Sequence, residues 1–327
     1  MRKFLIIQTA FTGDVILATA LIESIHSKMP EATLDVLVRK GNESLLENNP
    51  GINKILIWNK KENKFRNLLR TLQLIRKEKY SDVINLQRFA SSGFLTVFSG
   101  AQTTSGFNKN PFSFFFTYSL RHEIGNGKHE TERNQQLISY FSSDPSTRPR
   151  LYPSKIDEQF VQKFQIENYI CIAPGSIWFT KTFPQKKWIE FIINFRQRFL
   201  NWNVYLLGSP AEDDLCNQIV AEVGWERLHN LAGKLSFLQS AALMKGARMN
   251  YVNDSAPLHI ASSMNAPVTA IYCSTVPAFG FGPLSDVSVI IETKEQLTCR
   301  PCGLHGYKTC PQQHFSCALG IDIDQLG

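Results

Sequence analysis

The feature that most constrains this chain is an alternation, run twice, of short apolar segments with helical patterns. Residues 4–8, 34–38, 55–58 and 82–86 read as strands. Residues 14–26 read as a helix with Val15, Ala18, Leu21, Ile22 and Ile25 on one face, and 65–79 as a basic helix with Leu68, Leu69, Leu72 and Ile75 apolar. Residues 142–155 are polar, carry three prolines and read as a linker. The alternation then restarts. Residues 169–173, 204–207, 249–252, 268–272 and 287–291 read as strands, with helices over 184–199 and from Ala211 and Ala256. Repeated strand–helix units imply parallel sheets covered by helices on both faces. The chain therefore reads as α/β, with two doubly wound Rossmann-like domains, 1–150 and 151–327, facing across a cleft. A length of 327 residues suits two domains of ordinary size.

Charge is unevenly shared between the halves. Residues 1–150 hold 21 Lys and Arg against 13 Asp and Glu, a net +8; residues 151–327 hold 14 against 15, a net −1. The excess in the first half suits an anionic partner such as a lipid surface, a phosphorylated glycan or nucleic acid, or it serves solubility alone. No nucleic-acid-binding motif accompanies it, so nucleic acid is not expected as a partner. The apolar run after Met1-Arg2-Lys3 is too short for a signal-peptide core, and no stretch is long enough to span a bilayer. A cytoplasmic protein is expected, with membrane contact limited to its surface.

Ligands of open α/β sheets sit outside the carboxyl ends of the strands, so the strand-to-helix turns carry the candidate chemistry. The first turn, Gln8-Thr9-Ala10-Phe11-Thr12-Gly13-Asp14, is neither a dinucleotide fingerprint nor a P-loop. It offers one carboxylate at a helix mouth. Asp14 can complement the helix dipole, or act as a general base toward a hydroxyl within reach. In the second half, Ala173-Pro174-Gly175-Ser176 ends a strand with small residues that admit a ligand to the backbone, and Lys181 follows. Lys181 can pair with a phosphate or be a solvated loop lysine. Leu207-Gly208-Ser209-Pro210-Ala211-Glu212 is a similar turn, whose glutamate can accept from ribose hydroxyls or serve a helix first turn. Asn253-Asp254-Ser255-Ala256-Pro257-Leu258-His259 joins a strand to a helix start. Free N–H groups and the helix dipole there make either a diphosphate site or an ordinary capped helix.

In this order the turns resemble glycosyltransferase family nine, the ADP-heptose–lipopolysaccharide heptosyltransferases. The matching segments are Thr12-Gly13-Asp14; Pro174-Gly175-Ser176 with Lys181 and Trp188; Leu207-Gly208-Ser209 with Glu212; and Asn230-Leu231-Ala232-Gly233 leading to Asp254–His259. The resemblance spans nearly the whole chain. It implies a GT-B fold, with acceptor on the first domain and nucleotide sugar on the second. It also implies inverting, metal-independent transfer of heptose from ADP-heptose to a lipopolysaccharide core. Asp14 falls on the general base, and Thr12 and Gly13 lie beside it on the acceptor side. Ser176 and Lys181 fall on phosphate-binding positions and Glu212 on the ribose-binding position. Asp254, Ser255, Ala256 and His259 fall on the diphosphate-binding helix start. The chain departs from the common family turn where Ala256-Pro257 stands for Gly-Leu, which removes one backbone donor. It also ends at Gly327, where relatives continue into a final helix. A transferase using another nucleotide sugar, or an inactive nucleotide-sugar-binding module, are the alternative readings.

Three further signals carry other expectations. Cys171, Cys216 and Cys273 read as buried packing residues. Cys299, Cys302, Cys310 and Cys317, interleaved with His305 and His314, resemble a zinc ligand set, but reduced packing thiols or an incidental disulfide are favoured and no cofactor is expected. Asp322-Ile323-Asp324 matches a short metal-transferase pattern but lies outside any strand turn and reads as chance. The aromatic stretch 106–118 reads foremost as a buried helix or strand. Its alternative, with the basic helix 65–79, is contact with anionic lipid at the inner membrane face.

Overall fold

The computed structural model describes residues 2–60 and 63–327; Met1, Lys61 and Glu62 lie outside the described residues. The chain divides into two compact units, Met1–Tyr152 and Pro153–Gly327.

The first unit runs β1 (Lys3–Ile7), α1 (Thr12–Lys28), β2 (Thr33–Arg39), β3 (Lys54–Trp58), α2 (Lys64–Glu78), β4 (Asp82–Asn85), α3 (Ala90–Val97), β5 (Thr103–Phe107), β6 (Tyr118–Leu120) and α4 (Glu130–Gln135). Its six strands pair in parallel in the order β3-β2-β1-β4-β5-β6. β1 is central, and Phe4, Leu5, Ile6 and Ile7 are fully buried, as expected of a strand covered on both faces. α1 is buried almost all round, from Val15 through Ile22, rather than along one stripe. The reason is the segment expected to be a linker. Its residues 142–152 lie along α1, with the Thr147 hydroxyl donating to the Ala20 carbonyl (2.6 Å) and the Arg150 N–H to the Thr19 hydroxyl (2.8 Å). Tyr152 donates to Glu23 (2.9 Å) and Lys28 pairs with Asp144 (3.0 Å).

The second unit runs α5 (Lys155–Val161), β7 (Tyr169–Ala173), α6 (Gln185–Arg198), β8 (Asn203–Leu206), α7 (Asp213–Val223), β9 (Leu228–Asn230), α8 (Phe237–Gly246), β10 (Asn250–Asn253), α9 (Ala256–Ser263), β11 (Val268–Tyr272), β12 (Ser288–Glu292) and α10 (Ser316–Leu319). The parallel order is β12-β11-β10-β7-β8-β9. Its core gathers Ile170 and Ile172 of β7, Trp188 and Ile192 of α6, Leu206 of β8 and Cys216 and Ile219 of α7. Trp188, which the family resemblance had picked out, is thus a core residue packed edge-on against Phe183 (5.1 Å). Cys171, Cys216 and Cys273 are buried as expected. Burial pushes the Cys171 and Cys273 thiols far up, and Cys216 up to about 12, which disfavours the thiolate form in all three.

Numbered within each unit, the two strand orders are the same, 3-2-1-4-5-6. In this winding the chain leaves the middle of the sheet in opposite directions, opening a notch above the carboxyl ends of the two central strands. That notch lies between β1 and β4 in the first unit and between β7 and β10 in the second. The aromatic stretch 106–118 corrects the expectation of burial. β5 ends at Phe107, a short turn of 3₁₀ helix follows over Ser113–Phe115, and only Phe107 and Phe116 are buried among its phenylalanines.

Candidate functional site

In the second unit the notch is held together by Asn253, the wholly buried last residue of β10. Its Nδ2 donates to the carbonyls of Ala173 (3.3 Å), Pro174 (2.9 Å) and Gly175 (3.1 Å), and its Oδ1 accepts the Phe183 N–H (2.9 Å). One side chain thereby ties the Ser176 turn and the Lys181 loop to the start of α9. Lys181 Nζ pairs with Asp254 Oδ2 at 2.7 Å, and the buried Thr275 hydroxyl donates to the same oxygen at 2.6 Å. Ser255 is the extended N-cap residue of α9, and Ala256 and Pro257 occupy its first turn. Pro257 brings no N–H, and the Leu258 N–H is taken by the Ser255 carbonyl (3.1 Å). His259 is buried on the same helix.

Two further turns close on this one. Glu212 accepts from the Ser209 N–H (2.6 Å) and Ser209 hydroxyl (2.8 Å), which is the first-turn capping role weighed for it. Its other oxygen lies against Gly175, where an added Cβ would stand 1.9 Å from Oε1. Gly233, at φ +70°, donates its N–H to the Gly208 carbonyl (2.9 Å) and packs on Pro210, bringing the Asn230–Gly233 segment to the same place. Ser176, Lys181, Glu212, Asp254, Ser255 and Ala256 are therefore carried on neighbouring turns at one end of one sheet. Chemically the arrangement offers a lysine, a helix N-terminus and glycine-lined backbone, which suits a diphosphate, with a carboxylate to one side.

A strap from the C-terminal region completes this end. Arg300 donates through Nε to the Cys273 carbonyl (2.7 Å) and through Nη2 to those of Tyr272 (3.1 Å) and Thr275 (2.8 Å), and it pairs with Glu292. Tyr307 and Thr180 exchange two bonds, Thr180 N–H to the Tyr307 carbonyl (3.1 Å) and Tyr307 N–H to the Thr180 hydroxyl (2.7 Å). Asn253, Thr275, Arg300 and Thr180 were not singled out from sequence. Asn253 stood in the quoted motif without a role, and Arg300 was hidden among the cysteines.

The cysteines themselves are free thiols. The Cys302 N–H donates to the Ser274 carbonyl (2.8 Å) and Cys299 Sγ lies 3.8 Å from His314 Nε2. Burial and the neighbouring sulfurs push Cys317 up to about 11. Among the described residues no three His, Cys, Asp or Glu side chains gather closely enough to hold a metal ion. Asp322 caps a final 3₁₀ turn, accepting the Asp324 N–H (3.0 Å).

In the first unit Thr12, Gly13 and Asp14 open α1 at the β1/β4 notch. Asp14 is half-buried, and its Oδ2 accepts the Phe11 N–H at 3.2 Å, so the capping role is real. A carboxylate has two oxygens and several acceptor sites, so a cap bond does not by itself preclude a base role. Thr12 donates to Asn42 (3.3 Å), whose amide holds the Ala10 carbonyl (3.1 Å). Lys60 donates to the Thr9 hydroxyl (2.7 Å) and carbonyl (3.1 Å) and lies over the Trp58 ring. Burial, then the nearby Arg39 and Lys64, brings its ammonium down to about 8. Neither Lys60 nor Arg39 is in an ion pair among the described residues. Sequence reasoning missed Lys60, Arg39 and Asn42; the only signal was the local excess of positive charge.

Comparison with known proteins gives a concordant set of likenesses. The model of a family described as "Glycosyltransferase family 9 (heptosyltransferase)" matches residues 68–308. Lipopolysaccharide heptosyltransferase 3 of Escherichia coli is 26% identical over 279 residues, covering 81% of this chain and 82% of that one. Lipopolysaccharide heptosyltransferase 1 of Pseudomonas aeruginosa is 24% identical over 337 residues, covering 95% and 88%. Among solved structures, E. coli ADP-heptose lps heptosyltransferase II superposes with a TM-score of 0.76 at 20% identity, over 97% of both chains. An E. coli heptosyltransferase solved with ADP gives 0.72 at 18% identity, over 88% of this chain and 93% of that one.

Proposed function

Because the chain belongs to glycosyltransferase family 9, the heptosyltransferases, and is a glycosyltransferase on that ground, we propose that it moves heptose from ADP-heptose to a lipopolysaccharide core acceptor, in the cytoplasm, by a single inverting displacement. The observation that carries the reading is the Lys181–Asp254–Thr275 cluster at the N-terminus of α9, beside the glycine-lined turn of Ser176.

The reaction divides between the two units. Asp14 takes the proton of the acceptor hydroxyl. That oxygen forms its bond to the anomeric carbon on one face while the bond to the β-phosphate oxygen breaks on the other, inverting the centre. ADP departs with the electron pair. The charge gathering on its phosphates is met by Lys181 and by the N–H groups and dipole at the start of α9. These groups supply the positive charge that the leaving diphosphate needs, so the reading assigns no metal to the step. Ser176 hydrogen-bonds the phosphates, and Glu212 accepts from the ribose hydroxyls. On the acceptor side Thr12 and Gly13 shape the approach to Asp14. Lys60 and Arg39, cations in no ion pair among the described residues, meet acidic groups of the core.

One observation favours a second donor. Pro257 removes an N–H from the first turn of α9, and that loss bears on how the donor is held. Transfer assays with purified protein, EDTA present, would compare ADP-heptose with UDP- and GDP-sugars on a deep-rough core acceptor. Turnover from ADP-heptose alone is expected. In Asp14→Asn, which can still accept the Phe11 N–H, kcat should fall about 10²–10⁴-fold with ADP affinity unchanged. Transfer from a different donor would remove the heptose assignment, and full activity in Asp14→Asn would remove the base.

A further inference from the structure

Every strand of the first sheet runs the same way, so all its carboxyl ends share one edge. Asp14 stands on that edge, after β1. So do five exposed phenylalanines, carried on the connections after four different strands. Phe11 follows β1, Phe65 follows β3, Phe89 follows β4, and Phe114 and Phe115 follow β5; their exposures are 49%, 78%, 55%, 90% and 65%. Phe114 and Phe115 form an edge-to-face pair (5.6 Å) at the tip of a turn that is itself well held. The buried Asn110 amide donates to the Gln87 (2.8 Å) and Phe89 (3.1 Å) carbonyls, and Phe94 packs on Phe112 beneath. The exposed rings therefore do not arise from a slack loop. They are presented by a rigid one.

What sets this edge apart is the company of its rings, which stand among cations; one of these, Arg121 after β6, is paired, with Glu123 (2.7 Å). At the amino ends of the strands four cations are neutralised: Arg2 pairs with Asp82 (2.9 Å), Lys3 and Lys54 both pair with Glu78, and Lys28 at the end of α1 pairs with Asp144, while Arg76, Lys77 and Lys79 at the end of α2 are in no ion pair among the described residues. At the carboxyl edge Arg39, Lys40, Lys60, Lys64 and Lys109 are in no ion pair among the described residues. Aromatic rings interleaved with uncompensated cations match the interface of an anionic bilayer, where rings enter the headgroup boundary and cations meet lipid phosphates. A second copy of this chain would bring like charge against like charge.

We propose that the carboxyl edge of the first sheet, led by Phe114 and Phe115, docks on an anionic lipid bilayer. It deepens the functional reading and rests on it only for the acceptor: a core sugar carried on a membrane lipid would then be met at the surface that bears Asp14.

The test is flotation of the full chain with vesicles rich in anionic phospholipid, against purely zwitterionic vesicles, with neither donor nor acceptor present. The wild type should float with the anionic vesicles and be released by high salt. Phe114→Ser/Phe115→Ser, whose rings lie outside the core, should keep the wild-type Tm and lose at least about tenfold in vesicle binding. It should lose transfer to vesicle-embedded acceptor in step, while keeping transfer to a water-soluble, deacylated acceptor. Equal flotation of variant and wild type, or no flotation of the wild type at low salt, overturns the docking surface. So does a dimer that the double substitution converts to monomer without any vesicle binding. Flotation that depends on Phe114 and Phe115 in a protein that transfers no sugar supports the surface and overturns the substrate reading alone.

Discussion

At the scale of single residues, the contact that most shapes the proposed chemistry is the one between Lys181 and Asp254. The ammonium rests on a buried carboxylate, and a diphosphate bound as proposed must draw it away. Leaving a buried carboxylate unpaired is costly, so a second donor on the same oxygen eases the exchange. Thr275 is that donor, and Arg300 holds the Thr275 carbonyl from behind. Thr275→Val keeps the shape and removes the hydroxyl. ADP should then bind about tenfold more weakly by titration calorimetry, the loss of one hydrogen bond to a charged group, with Thr275→Ser restoring affinity. Wild-type affinity in Thr275→Val would show that Asp254 needs no such support. Lys60 makes a pH-dependent prediction. Its ammonium is lowered to about 8, so it is charged below that pH and neutral above it. For an acidic acceptor, kcat/KM should therefore hold up to about pH 8 and decline beyond it, while Lys60→Met should be lower at neutral pH and lack that decline. A wild-type profile identical to that of Lys60→Met would exclude Lys60 from acceptor binding.

At the scale of elements, the turns at the carboxyl ends of the second sheet are set by few atoms. Asn253 alone serves three carbonyls and one N–H. Asn253→Ala should cost about 3 kcal/mol in urea denaturation, because buried backbone groups lose partners that water cannot replace, and ADP binding should go with it. A loss within about 0.5 kcal/mol would mean the turns hold themselves. These elements also mark what a sequence can disclose. Strands covered on both faces, such as β1 from Phe4 and β7, stand out as unbroken apolar runs. β5, Thr-Thr-Ser-Gly-Phe, does not, because its polar atoms are used inside: the Ser105 hydroxyl donates to the Leu137 carbonyl (2.7 Å), and Gly106 makes room for Phe116. β6 and β9 are three residues each, too short to show a period. Lys181, Glu212 and Asp254 were legible because they follow apolar strands. Thr275 and Arg300 were not, since their roles depend on a late segment folding back over β11, and nothing periodic announces that.

At the scale of the whole molecule, charge segregates by unit, and the proposed reading divides the ligand chemistry the same way. The first half's surplus of positive charge was legible from composition, but its gathering at one edge required the strand directions. Nucleotide binding should register in one unit only. With ADP bound, amide exchange should slow at the turns after β7, β8 and β10 and at the start of α9, leaving β1 to β6 unchanged. Slowing around Asp14 instead would put the nucleotide on the other sheet and reverse the assignment of roles.

The repeated strand order has an evolutionary corollary. One winding, 3-2-1-4-5-6, serves twice, so the same notch is available to two independent lineages of change. On the proposed reading one copy shelters a proton acceptor and the other a grip for phosphate. On that reading, substitutions after β1 to β5 would alter which alcohol is glycosylated, and substitutions after β7 to β11 which activated sugar is consumed. Descendants of such a chain can inherit an old donor with a new acceptor, or the reverse, without relearning both at once.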